Sequence, residues 1–98
     1  MDDQRKAYMD KLDAQIQQWR AELERLEAEA NKAQADAKLE YQQRVRELSG
    51  KVAEAEAKYN NMREAQSDAW QSLKDGMEQA VDDLKSAFSD ARNKMTSS

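Results

Sequence analysis

Acid–base or metal chemistry near neutral pH needs side chains that titrate or coordinate there, and this sequence supplies few. It contains no histidine and no cysteine, so the commonest general base, the commonest zinc ligands and the most reactive nucleophile are missing. What remains is 20 carboxylates and 16 lysines and arginines, mixed along the chain. A solvated carboxylate beside lysine and arginine has no cause to titrate near neutrality. The adjacent acidic pairs Asp2-Asp3 and Asp82-Asp83 point about 100° apart on a helix of 3.6 residues per turn, and do not converge on one proton or ion. Glycine-rich phosphate loops and glycine-centred calcium loops are absent; the two glycines, Gly50 and Gly76, stand alone. The expectation is a protein that is not an enzyme, with no catalytic residue, metal site or cofactor.

The elements that carry these side chains follow from composition. Charged residues make up 37% of the 98 and apolar residues 39%, and the mean hydropathy is -1.16. That balance suits long helices with one apolar face. Proline is absent, so almost nothing interrupts a helix. The apolar residues recur periodically, which a disordered polar chain has no reason to do. The expected class is all-α, with elongated coiled-coil-type helices in a single unit, residues 1–98.

Between residues 4 and 65 the apolar positions alternate in steps of three and four. The stripe runs Leu12, Ile16, Trp19, Leu23, Leu26, Ala30, Ala33, Ala37, Tyr41, Val45, Leu48, Val52, Ala55, Tyr59 and Met62. This is a heptad seam of the kind that packs on a second helix, and it marks a self-association surface. Three consecutive four-residue steps from Ala33 to Val45 form a stutter, where a supercoil locally unwinds. Glu40→Arg44, Glu47→Lys51 and Glu54→Lys58 are acidic-to-basic pairs at i,i+4, each contributing about 0.2–0.5 kcal/mol to the helix.

After Met62 the period changes. Ala69/Ala80/Ala91, Trp70/Val81, Leu73/Leu84/Met95, Gly76/Ala87 and Met77/Phe88 align at eleven residues, a spacing that runs nearly straight and broadens the apolar face. Segment 67–95 therefore reads as an amphipathic helix, with residues 96–98 as a tail. Its polar side carries Asp75, Gln79, Asp82, Ser86 and Asp90. Trp70, Leu73, Met77, Val81, Leu84 and Phe88 form the face available to a partner or to lipid, flanked by Lys74 and Lys85. Packing against the first segment or another protomer is favoured over lipid, because the polar side lacks the basic excess of membrane-surface helices.

Four architectures fit: a rod of roughly 140 Å at 1.5 Å per residue, a hairpin folded at Ser49-Gly50, a helix to about residue 65 followed by a shorter one from Ser67, and a three-helix bundle with a further turn near Asn31. The third is preferred, because the change of register coincides with Ser67, a candidate helix cap. Gly76 reads as a small residue where another helix comes close.

The net charge of -4 has no basic patch, which disfavours nucleic acid. The acidic N-terminus and the lack of a long apolar run point to a cytoplasmic protein without signal peptide or transmembrane segment. The expected partner is a second copy of the chain or another helical protein, with a membrane surface disfavoured.

The segments Ala7-Tyr8-Met9-Asp10-Lys11-Leu12, Ala35-Asp36-Ala37-Lys38-Leu39-Glu40-Tyr41 and Ala69-Trp70-Gln71-Ser72-Leu73-Lys74-Asp75-Gly76 resemble a family of small bacterial coiled-coil proteins linked by name to stress responses. The resemblance implies a small helical protein with no known enzymatic role and no assigned cofactor. The eleven-residue repeat is also similar to those of apolipoprotein-like and desiccation-protective helices. Two functions follow as expectations: a structural or interaction protein forming a helical homo-oligomer, and a peripheral lipid-binding protein.

Overall fold

The computed structural model describes residues 2–96, and the side chains of residues 3–95. Three helices of nearly equal length account for almost all of them: α1 (Asp2–Lys32), α2 (Ala35–Glu64) and α3 (Ser67–Thr96). The all-α class holds. The particle measures 51 × 18 × 17 Å, and a 30-residue helix is itself about 45 Å long. It is therefore one helix long and three helices thick, a slender bundle in up-down-up order, not a rod.

The preferred continuous helix over 4–65 is corrected: the chain turns at Ala33 and Gln34 as well as at Ala65 and Gln66. Of the four-residue steps read as a stutter, the first crosses the turn and the other two lie inside α2. Folding back lets the stripe bury itself on the same chain, which a lone helix cannot do. Gly50 lies inside α2, so no hairpin forms at Ser49-Gly50.

Both turns fall in one motif repeated 32 residues apart, Ala33-Gln34-Ala35-Asp36-Ala37 and Ala65-Gln66-Ser67-Asp68-Ala69. In each, the aspartate sits in the first turn of the following helix, where the helix dipole favours a negative charge. The last turns of α1, α2 and α3 carry Lys32, Arg63 and Lys94, matching the opposite pole. Ser67 is the first residue of α3 rather than its cap, and the carbonyl of Gln66 accepts the first helical bond, from Trp70 N–H at 2.8 Å.

Buried positions follow heptad steps in all three helices. In α1 they are Met9, Leu12, Ile16, Trp19, Leu26 and Ala30; in α2, Tyr41, Leu48, Val52, Ala55 and Met62. In α3 Trp70, Met77, Leu84 and Ala91 are buried at steps of seven, while the buried pairs Met77/Phe88 and Leu84/Met95 keep the sequence repeat of eleven. Helices that run side by side in a bundle share a seven-residue phase, and α3 combines that phase with its own broader face. The backbones of α1 and α3 each lie close to α2 but approach one another at few points. Between them stand large rings: Trp19 stacks on Phe88 at 6.3 Å, and Tyr8 meets Trp70 edge-on at 5.6 Å.

Candidate functional site

Among the described residues, no group of three or more histidine, cysteine or acidic side chains could hold a metal ion, and no helix is long and apolar enough to cross a membrane. The interest lies in where the marked apolar residues go. Leu12, Ile16, Trp19, Leu26, Leu48, Val52 and Met62 of the seam are buried in one core with Trp70, Met77, Leu84 and Phe88 of the second face. Leu23, Val45, Tyr59, Leu73 and Val81 are half-buried and pack against it. The seam and the face, distinct in the sequence, are two sides of one interior. Neither is open to solvent in this state. Among the described residues Leu39 is the one large apolar side chain left exposed, at 74%, and a lone surface leucine is ordinary.

One end of the bundle carries a cluster that joins Trp70 and Lys74, both marked in the sequence, to Arg5, which sequence reasoning missed. The Arg5 guanidinium, on α1, donates from Nη2 to the carbonyls of Met62 at 2.8 Å and Ala65 at 2.6 Å. These carbonyls belong to the last turn of α2 and the link after it, where backbone acceptors lose their helical donors. The same guanidinium lies 5.4 Å from the centre of the Trp70 ring. Lys74 places its ammonium 4.9 Å from the Tyr8 ring and 5.7 Å from that of Trp70. Cations over aromatic faces are attracted by the ring quadrupole, so Arg5 and Lys74 bracket the Tyr8–Trp70 pair. Burial, then Glu78 and Asp75, push the Tyr8 hydroxyl above its ordinary pKa, because each disfavours the phenolate. Arg5 and its acceptors are 57 to 60 residues apart, which no local spacing could have revealed.

Polar contacts between helices complete the frame. Arg20 of α1 forks onto Glu56 of α2, with Nε at 2.7 Å from one carboxylate oxygen and Nη2 on the other. That hydrogen bonding holds the Glu56 carboxyl below its ordinary pKa. Glu22 of α1 pairs with Arg92 of α3 at 3.1 Å, and the hydroxyl of Tyr41 donates to the carbonyl of Lys94 at 3.3 Å. Of the local pairs, Glu40–Arg44 forms at 3.1 Å. Where α1 and α3 part, an open groove of about 280 Å³ runs between Tyr8, Lys11, Leu12 and Gln15 on one side and Glu78, Val81, Asp82 and Lys85 on the other. Its charges are mixed and its floor shallow, so it selects no particular small molecule.

Gly76 was expected where another helix comes close. It is corrected: nothing lies within 4 Å of the position a Cβ would take there, nor at Gly50. Compared with protein-family models, with curated proteins and with solved structures, the chain matches none of them.

Proposed function

We propose that this chain is a non-catalytic structural and interaction protein that works by pairing helices, first within itself and then with a second copy. The observation that carries the pairing within the chain is the single interior formed by the seam and the second face; pairing with a second copy would draw on the same seam. No charged side chain stands among the buried residues of that interior, which suits the packing of helix on helix. Scaffolding or protecting other components is the role we propose for that pairing, and stress is its setting only because the family that the sequence resembles is linked by name to stress responses. Light scattering over a range of concentrations tests the reading. A dimer population that grows with concentration supports it, and a strict monomer at every concentration removes self-association.

A second reading is peripheral lipid binding, in which α3 swings away from α1 and lays its apolar side on a membrane. It is favoured by one feature, the sparse backbone approach of α1 to α3. Flotation with anionic and neutral vesicles, together with tryptophan emission, decides it: no retained protein and no blue shift remove it. The acidic outer side of α3, with Asp75, Asp82 and Asp90, weighs against anionic lipid.

A further inference from the structure

We infer that the second copy is taken up by exchange of α1: the turn at Ala33-Gln34 straightens, α1 and α2 join into one helix, and α1 of each molecule packs into the bundle of the other. This rests on the self-association proposed above and supplies its geometry.

Four observations lead there. First, the link is two residues long, and its residues are helix formers without proline or glycine. Gln34 departs from helical geometry with φ -70° and ψ 159°, and its side chain makes no capping hydrogen bond. The turn is closed by backbone bonds, from Ala33 N–H to the Ala30 carbonyl at 3.2 Å and from the Ala37 and Lys38 N–H groups to the Gln34 carbonyl at 3.0 and 2.8 Å. A helix running through the link would keep bonds of the same kind.

Second, the apolar stripe does not stop at the turn. Ala30, Ala33, Ala37 and Tyr41 continue it in three- and four-residue steps, as an uninterrupted helix with a stutter would. Where two straightened helices cross, these alanines allow close approach. Third, every long-range contact of α1 can be remade in the other molecule without change: Arg5 on the α2 end, Arg20 on Glu56, Glu22 on Arg92, Trp19 on Phe88. Exchange of an identical element needs no new surface, which is why it is a low-cost route to dimers. Fourth, α2 and α3 have their own fastening at the far end, Tyr41 on the Lys94 carbonyl, so the remaining hairpin has contacts that do not depend on α1.

Short links invite exchange, and rigidifying them prevents it. Ala35→Pro is the discriminating variant. Ala35 is the first residue of α2, where proline is favoured, and the extended Gln34 before it already has the backbone that proline demands. In a continuous helix the same proline removes a hydrogen bond and clashes. Deletion of residues 33–36 does the opposite: it leaves no link for folding back and keeps the apolar stripe in phase, since Tyr41 then follows Ala30 by seven residues.

The experiment refolds the chain, half of it isotopically labelled, from denaturant at high concentration. Mass, maximum dimension and isotope-filtered contacts between Trp19 and Phe88 are then measured. The expected result is a dimer close to twice the monomer's length, since residues 2–64 as one helix span roughly 95 Å. Trp19–Phe88 contacts then run between labelled and unlabelled chains, Ala35→Pro stays a folded monomer by circular dichroism, and the deletion is an obligate dimer. A native dimer whose Trp19–Phe88 contacts are all internal overturns exchange while self-association stands. An Ala35→Pro chain that dimerises like the native one does the same, as does a monomeric deletion variant. Should Ala35→Pro fail to fold, the deletion and the labelled contacts still decide. A native chain that stays monomeric throughout overturns both.

Discussion

The two turns of this bundle are written in nearly the same residues and held in different ways. Ala65-Gln66 is gripped from outside: Arg5 reaches across from α1 to the carbonyls of Met62 and Ala65 and lies against Trp70 at the start of α3. Ala33-Gln34 closes on its own backbone, with a cap residue whose side chain adds no hydrogen bond. A shared motif thus sets where the chain turns, and a single distant side chain sets how firmly. That difference is why the Ala33-Gln34 turn, and not Ala65-Gln66, is the one proposed to straighten.

The comparison breaks most readily at the gripped corner. Trp70→Ala removes the ring on which Arg5, Tyr8 and Lys74 converge, and urea unfolding should report a loss of about 3–5 kcal/mol, as for other buried aromatics. The Arg5→Ala chain loses charge-assisted bonds to two carbonyls, an effect of about 2 kcal/mol. Amide exchange should then quicken over residues 63–70 and stay unchanged over 31–38. Equal acceleration at both turns would erase the distinction.

Smaller changes away from either turn sharpen the scale. Gly50→Ala and Gly76→Ala place a methyl in open space within helices, and each should raise stability by about 0.5–1 kcal/mol in thermal melts. The pH dependence is the slightest effect and again differs by region. Tyr8 holds its proton more tightly folded than unfolded, so its contribution is complete below pH 10 and is lost as pH rises past its folded value. Glu56 binds its proton less tightly folded, so its contribution is present above the ordinary carboxylate range and is lost as pH falls through its lowered value. Melts across both limbs, with Tyr8→Phe flattening only the alkaline one and Glu56→Gln only the acid one, check the assignment.

Much of the interior could be read from spacing alone. Leu12 through Met62 and Trp70 through Phe88 repeat at helical intervals, and burial is what such intervals are for. The first turn was harder, because alanine and glutamine are comfortable inside helices. Its traces were Asn31, near which a turn and a three-helix bundle were among the architectures that fit, the run of four-residue steps after Ala33, and the aspartate placed two residues beyond Gln34 and again beyond Gln66. The period of eleven after Ser67 marked the face that is covered, Trp70 through Phe88, whereas the neighbouring helices decide which of its residues are covered fully. Arg5 left no trace, since its partners are brought to it only by the fold.

The spacing of α1 from α3 also bears on the order of assembly. Consecutive helices joined by two-residue links touch first across short stretches of chain, and chains dominated by such contacts fold in roughly microseconds to milliseconds. The Arg5 grip needs only that α2 has doubled back, whereas the Trp19–Phe88 stack must wait until α3 has followed as well. Tryptophan emission in a rapid-mixing experiment would therefore report the closing step of folding rather than its nucleus. It would also time the interval in which a neighbouring molecule can take α1's place.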